Sequence, residues 1–557
     1  MKQKEVGTSI LRADGGKLDL SGNLDAQEQM VQGSVWMTAG SIFSRILGAI
    51  YIIPWVTWLG AYSDQANALF SKGYNIYSLF LMAATAGIPA AVSKLVSHYN
   101  ELNEYGVGRR LYKHGMLVSA FTGLISAMIL FFGAPLLANG DANVVPVLRS
   151  LAVAVLVIPG MSLSRGLFQG YHQMAPSAIS QFNEQLFRVI YMLASTYVIM
   201  KIMHGSWKTA VVHSTFAAFI GAIGGIIILG YYWLKNRKQM NDLRDNSNDE
   251  LVISSWTLIK DIIIQAIPFV IVSSGTIIFQ LIDQYTFFDA MQRVGSYSMW
   301  QLNQLWALFS FNANKLIMIV ISLASAMSEA VIPLLSAARA RKDNRDIRNQ
   351  ISNALMLFYF VMIPAALGLA AVSTPIYTVF YRYSASGSTI LEISAYVAIF
   401  MGLFTIVAAI MQGVSENTKT LKMLGIGLLV KLVLQYPMIF MFKTIGPLLS
   451  TGVGMAVTSY LIIHSLNNEF HIPFRKMFKT INQILLYSII TYAVAKLIVT
   501  LLYFVIDPSG RVTAALVLIP AVAGGGLVYV YLVLKSRLAQ MLLGPRMDSL
   551  RIKLHIK

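Results

Sequence analysis

The chain contains no cysteine in 557 residues, which excludes disulfide scaffolds, thiolate metal sites, iron–sulfur clusters and cysteine nucleophiles. Charge is scarce as well. Asp, Glu, Lys and Arg together make up 12% of the sequence, about half the share of an ordinary soluble domain. The P-loop pattern GxxxxGK[ST] is missing, which argues against ATP-driven work by this chain alone, and the eight histidines show no HExxH or similar ligand spacing. A glycosyltransferase or lipid phosphatase needs clustered carboxylates or histidines near a membrane interface, whereas here the histidines are scattered and every outside loop is short. Acidic residues are the minority, 25 against 43 Lys and Arg for a net charge of +18. In a membrane protein that excess collects in cytosolic loops and does not imply nucleic acid.

What remains is apolar: 56% of the residues are hydrophobic, with 28 Phe and 27 Met. A bilayer core takes about 20 apolar residues per helix. Apolar stretches bounded by charge, Pro or Gly clusters predict an all-α polytopic membrane protein with fourteen transmembrane helices. They lie near 34–58, 66–93, 115–137, 145–164, 177–200, 209–234, 261–284, 303–335, 352–381, 391–411, 423–442, 447–465, 480–505 and 512–534, and are called spans 1 to 14 below. Residues 1–33 carry nine charges and no long apolar run, so they read as a cytosolic tail and not as a cleavable signal.

With both termini in the cytosol, alternate segments hold 30 basic residues inside and 6 outside. Such an asymmetry supports an even helix count and cytoplasmic termini.

The two halves of the chain resemble each other at an offset of about 243 residues. Gln169-Gly170 after span 4 recurs as Gln412-Gly413 after span 10, Ile88-Pro89 as Ile332-Pro333, Ala134-Pro135 as Thr374-Pro375, and Lys72 as Lys315. Two six-helix units of the same orientation, related by an axis along the membrane normal, form a transporter architecture. The expected division is a tail (1–33), an N-lobe (34–235), a cytosolic linker (236–260), a C-lobe (261–466), spans 13 and 14 (467–538) and a basic tail (539–557).

Ionised side chains at mid-bilayer cost about 2.5–3.5 kcal/mol on insertion scales, so those that persist face protein, water or cargo. Arg45, Arg188 and Lys431 fall near mid-depth and Lys72 and Lys315 nearer the outer face, with Glu184, Asp283 and Glu329 as candidate counter-charges or ion-coupling groups. This balance favours an anionic passenger with phosphates. Structural readings stand beside it. Arg188 lies four residues after Glu184 and is spaced to pair with it, Lys72, Lys315 and Asp283 are placed to snorkel, and Arg149 and Lys496 read as packing or snorkelling residues. Pro89, Pro268 and Pro333 interrupt helix hydrogen bonding and are candidate gate kinks, although such prolines are frequent in helices that never move.

The stretch GLFQGYHQMAPSAISQFNEQLFRV (Gly166 to Val189) resembles the signature of polysaccharide-export proteins of the MOP superfamily. FSRILG (Phe43 to Gly48), GIPAAVSKLV (Gly87 to Val96), VIPLLSAARARKD (Val331 to Asp343) and MQGVSENTK (Met411 to Lys419) extend the likeness. It points to the stage V sporulation protein B and YtgP branch, which includes MurJ-type lipid II flippases of Gram-positive bacteria. The resemblance implies a MATE-like fold of two six-helix lobes, a cationic central cavity, and a groove at spans 13 and 14 for an undecaprenyl tail. It also implies that Arg45, in the FSR-x-LG motif, contacts the diphosphate. Gram-negative lipid II flippases resemble FSR-x-LG-x-x-RD there, whereas this chain has Tyr51 and Ile52. Arg188, Lys431, Lys72 or Lys315 then supply the missing charge.

The expected function is movement of an undecaprenyl-diphosphate-linked saccharide, lipid II for peptidoglycan and cell-wall biogenesis, to the outer leaflet by alternating access. No bond is made or broken, so the chain is expected to be a transporter and not an enzyme, without cofactor or metal. Its bias comes from product removal, from the membrane potential or from a monovalent cation, Na⁺ or H⁺, bound at Asp283, Asp289 or Glu329. Expected partners are the lipid-linked saccharide, membrane lipids and cell-wall synthesis enzymes, with no nucleic acid and a monomeric state. The alternatives are another lipid-linked oligosaccharide, for teichoic acid or capsule, and a cation-coupled MATE-type drug exporter. The cationic cavity and the extra helix pair argue against drug export.

Overall fold

The computed structural model describes residues 47–554 apart from 49, 86–87, 172, 249–253 and 545. Among the described residues the regular structure is entirely helical. Span 1 ends in the helix Ile52–Leu59, and span 2 comprises Ser63–Thr85 followed by Ile88–Glu101. Spans 3 to 6 are Tyr105–Phe132, Val144–Gly170, Met174–Tyr197 and Trp207–Asp245. Span 7 is Ser255–Val294, and span 8 runs from Met299–Ala307 through a π-helical turn, Leu308–Ala313, into Asn314–Ala340. Spans 9 to 12 are Asn344–Ala371, Ala385–Gly413, Asn417–Phe442 and Gly446–Phe470, and spans 13 and 14 are Phe474–Tyr503 and Arg511–Lys535.

Each predicted apolar stretch is therefore largely helical where it is described, with short breaks at Gly133 in span 3 and Val372 in span 9, and most of the helices begin before the predicted limits. The extensions begin on polar caps that satisfy orphan N–H groups. Ser206, Ser254, Ser384 and Asp343 each accept a backbone N–H of the following turn, and Ser298 with Gln301 forms a capping box. Among the described residues, ten helical stretches, covering spans 3–6 and 8–14, are long and apolar enough to cross a membrane. Large apolar side chains such as Phe132, Val433, Val505 and Leu527 point away from the bundle with 71% or more of their surface exposed. In water that belt would be an anomaly; in hydrocarbon it is the solvated surface.

Spans 3, 4 and 6 pack on one another, as do 5 and 6, and 2 and 4; spans 8, 10 and 12 pack likewise with 9, 11 and 7. The two groups meet chiefly where spans 7 and 8 lie against spans 2 and 3. The repeat has a packing cause. A Cβ on Gly170 would lie 2.9 Å from Val96 Cβ, and one on Gly413 would lie 2.8 Å from Leu335 Cβ, so both glycines let the end of one helix cross a neighbour at close range. The equivalence extends to hydrogen bonds: Asn100 Nδ2 donates to the Gly170 carbonyl at 3.4 Å, and Ser336 Oγ to the Gly413 carbonyl at 3.2 Å.

Spans 13 and 14 attach to the second group through span 9. Lys496 is bound to Glu392 Oε2 at 3.1 Å, and Tyr492 Oη donates to Glu392 Oε1 at 3.0 Å. Arg511, at the start of span 14, donates to the Tyr381 carbonyl at 2.8 Å and to Thr57 Oγ1.

Candidate functional site

Between the two groups lies a cavity of about 810 Å³. Its walls come from both halves: Tyr51, Tyr74 and Ser78 from spans 1 and 2, Arg188 and Gln185 from span 5, Thr276 and Gln280 from span 7, Lys315 and Glu329 from span 8, and Gln412 from span 10. Hydroxyls and amides outnumber ions along this wall.

Arg188 is held by its own helix. Its Nη2 donates to Glu184 Oε1 at 2.8 Å, while Arg165 from span 4 takes Glu184 Oε2 at 2.9 Å and Ser180 Oγ at 3.0 Å. One carboxylate thus serves two guanidinium groups, leaving a net positive triad. Arg188 lines the cavity, and its buried Nε has no partner among the described residues. A buried unpaired donor is costly.

Lys315 is positioned differently. Its ammonium lies 5.5–6.0 Å from the ring centroids of Tyr51, Phe70, Tyr74 and Phe311. Aromatic faces attract the cation without neutralising it, which leaves its charge available to cargo. No carboxylate takes up Lys315 among the described ion pairs.

One end of the cavity is closed by a row of polar contacts between spans 2 and 8 and their neighbours. Ser71 Oγ lies 2.9 Å from Ser310 Oγ, and Trp306 Nε1 donates to Ser71 Oγ at 2.9 Å. Asn67 Nδ2 donates to Asn312 Oδ1 at 2.8 Å, Gln65 Nε2 to the Trp300 carbonyl at 2.8 Å, and Asn75 Nδ2 to Gln284 Oε1 at 3.1 Å. The π-helical turn Leu308–Ala313 carries Ser310 and Asn312 into this seal. Such an insertion rotates side chains out of the regular helical register, as at many functional sites. Asn312 also donates to Tyr377 Oη at 2.9 Å, and Tyr381 Oη donates to the Asn312 carbonyl at 3.1 Å.

Of the residues expected in the cavity, Arg188, Lys315 and Glu329 line it. Arg45 lies outside the described residues. Lys72 is a correction: it sits in the seal, where Nζ reaches Asp141 Oδ2 and Asn303 Oδ1, each at 2.8 Å, over the Phe288 ring at 4.2 Å. Asp141, in the loop after span 3, neutralises it there, which removes the need to face the cavity. Burial acts to raise the Asp141 carboxyl, but the adjacent ammonium and two N–H donors from Asn143 hold it below its ordinary value. Lys431 is the second correction, being fully buried against Asp283 Oδ1 at 2.7 Å between spans 7, 11 and 12. Asp283 accordingly belongs to that pair and not to the cavity wall. Glu184 acts one step back from the wall, through Arg188.

Pro89 is the second residue of the helix Ile88–Glu101, Pro268 falls within Ser255–Val294, and Pro333 lies inside Asn314–Ala340. Asp289 pairs with Arg293 at 3.0 Å and accepts from Tyr436 Oη at 3.1 Å. Arg149 stacks at 5.2 Å on Phe131. Arg165, one residue past the predicted end of span 4, is in the helix Val144–Gly170 and completes the Glu184 triad, a role not read from the sequence. The seal amides and hydroxyls were not read from the sequence either, although neutral polar residues recurring inside spans 2 and 8 were the available signal.

Comparison with known proteins places these features in a family. The sequence profile described as "Polysaccharide biosynthesis protein" matches residues 30–339, and the one described as "MatE" matches residues 312–437. A Bacillus subtilis (strain 168) protein named "Lipid II flippase MurJ" is 35% identical over 537 residues, 94% of this chain and 98% of its own length. "Stage V sporulation protein B" of the same organism is 23% identical over 178 residues, 31% of this chain and 34% of its own. Among solved structures, one described as "Lipid II flippase MurJ, inward closed conformation" superposes with a TM-score of 0.60 at 16% identity, covering 91% of this chain and all of that one, 100%. An inward-facing multidrug resistance MATE family transporter of the MOP superfamily gives 0.58 at 14% identity, over 77% and 94%. At those identities the structural likeness is one of fold.

Proposed function

We propose, from the premise that the chain belongs to the polysaccharide biosynthesis protein family of the MOP superfamily, that it is a flippase for lipid II, the lipid-linked peptidoglycan precursor. The observation that carries the reading is the pair of cavity cations with unspent charge, Arg188, which shares one carboxylate with Arg165, and Lys315 in its aromatic surround. A diphosphate suits both: guanidinium offers a fork of N–H donors, and the ammonium a point charge. A cationic drug would meet repulsion at the same wall.

The cargo has a hydrophilic head that cannot cross hydrocarbon and a long apolar tail that need not leave it. Spans 1–6 and 7–12 act as lobes that rock about the cavity, while spans 13 and 14 border a path for the tail. With both termini cytosolic, as the distribution of basic residues supports, the seal faces outside and the cavity is accessible from the cytosolic side. Arg45 lies close in sequence to the wall residues Gly48 and Tyr51 and adds a third cation. Unloading requires the lobes to part at the seal.

Flipping consumes no bond energy, so direction comes from potential and product removal. An inside-negative potential favours outward movement of an anion by about 2.3 kcal/mol per charge per 100 mV. Cell-wall synthesis enzymes that use lipid II at the outer face would supply the pull.

The test is depletion of the protein in its host, with any redundant flippase removed, and measurement of undecaprenyl-linked intermediates on the cytosolic leaflet. Accumulated lipid II that wild type relieves and Arg188→Ala does not is the expected result. Accumulation of a different undecaprenyl diphosphate saccharide would change the cargo, and unchanged lipid pools would overturn the flippase reading.

A further inference from the structure

Away from the cavity, spans 7, 11 and 12 enclose the ammonium of Lys431, whose side chain is 0% exposed. It donates to Thr451 Oγ1 at 2.6 Å and Asp283 Oδ1 at 2.7 Å, with the Pro447 carbonyl and Ser450 Oγ each at 3.4 Å. All four contacts are oxygens: one carboxylate, one backbone carbonyl and two hydroxyls. Hard cations take ligands of this kind, and a plain salt bridge needs only the carboxylate.

The cage is also built to hold its shape. Gln435 Nε2 donates to Asp283 Oδ1 and to Thr286 Oγ1, both at 2.9 Å, and Gln435 Oε1 accepts from Ser450 Oγ at 2.6 Å. Thr451 Oγ1 reaches the second carboxylate oxygen at 3.4 Å. Gly454 leaves room for the lysine stem, since a Cβ there would stand 3.2 Å from Lys431 Cβ. The Phe279 ring, 5.8 Å from the ammonium, faces it from another side.

We infer that this cage is a monovalent-cation site in which the tethered ammonium of Lys431 takes the ion's place, so that the second half carries its counter-ion covalently and binds no Na⁺ or K⁺ there. An ammonium is close to K⁺ in size and, unlike a free ion, cannot dissociate. The charge of the cage therefore stays constant whatever the gradients across the membrane.

Thermal unfolding of the purified full chain in detergent tests this without reference to cargo, and so separately from the flippase reading. The probes are NaCl and KCl against choline chloride at equal ionic strength. Wild type is expected to show the same midpoint in all three salts. Lys431→Ala, which empties the cage and leaves the carboxylate bare, is expected to be destabilised in choline and to recover by a few degrees in Na⁺ or K⁺. Lys431→Met, which refills the space with carbon, is not expected to recover. An ion-specific shift in wild type, or indifference of Lys431→Ala to all three salts, would overturn the inference. Should Lys431→Ala fold in no salt, folding of the double variant Lys431→Ala/Asp283→Asn supports the inference, and its failure to fold overturns it.

Discussion

Ser71 and Ser310 face each other across the boundary between the two halves with their hydroxyl oxygens 2.9 Å apart. Paired cysteines at these positions fall within reach of a disulfide, and the chain has no other thiol to confuse the result. Oxidised Ser71→Cys/Ser310→Cys should hold the seal shut and abolish delivery of lipid II to the outer leaflet. Reductant should restore it, and neither single variant should respond to oxidant. Transport that continues through the cross-linked form would mean that the seal does not open in the cycle.

The Lys72–Asp141 pair at 2.8 Å is predicted to be structural. Asp141→Asn leaves a largely buried ammonium without its carboxylate, a change that costs about 1–3 kcal/mol. The stability difference between wild type and Asp141→Asn also has a predicted pH dependence. The folded carboxyl sits below its ordinary value, because the ammonium and the Asn143 donors outweigh burial. Its stabilisation is therefore fully present above the unfolded value of about 3.9 and is lost as pH falls through the folded value below that. Unfolding midpoints compared from pH 8 to 5 should differ by a constant amount and converge only under stronger acid.

Arg188→Lys tests whether the guanidinium fork matters beyond its charge. Lysine keeps the cation but cannot bridge Glu184 and cargo in the same geometry, so a loss of roughly tenfold in affinity for lipid II, about 1.4 kcal/mol, is expected. Glu184→Gln leaves Arg165 and Arg188 facing each other without a carboxylate and should lower the unfolding midpoint as well as binding. Direct titration of detergent-solubilised protein with lipid II separates the two effects.

The repeat glycines make a matched pair. Gly170→Ala and Gly413→Ala each place a Cβ under 3.0 Å from a neighbouring side chain, and overpacking of that kind costs about 1–3 kcal/mol. Gly425, in the helix Asn417–Phe442, has nothing within 4 Å of the same construction. Gly425→Ala should stabilise by up to about 1 kcal/mol through helix propensity. Calorimetry on the three variants checks sign and symmetry together.

The fold was legible because its signals are periodic and redundant: apolar stretches, basic loops, and glycines repeating at one offset. The site was legible only in part. Arg188 with Glu184 was readable because four residues along a helix bring side chains together, while Arg165 was not, since its approach depends on how span 4 crosses span 5. Charge inside a span identified Lys72 and Lys431 as costly, but the sequence cannot say whether cargo or a distant carboxylate meets that cost. Asp141 and Asp283 lie 69 and 148 residues from their lysines. No local pattern connects positions so far apart, and the π-helical turn that aims Asn312 likewise has no composition of its own.

The seal joins the two halves mostly through neutral groups: Lys72 reaches across to the Asn303 amide while its carboxylate partner stays in its own half, and the Asp64 carboxylate accepts from Asn312 Nδ2 at 3.4 Å. Water can replace neutral hydrogen bonds one at a time at a net cost of about 0.5–1.5 kcal/mol each. Separation there breaks none of the described ion pairs, since Lys72 keeps Asp141, so only a small salt-dependent barrier is expected. The seal is thus a hydration-controlled closure whose opening rate should depend little on ionic strength.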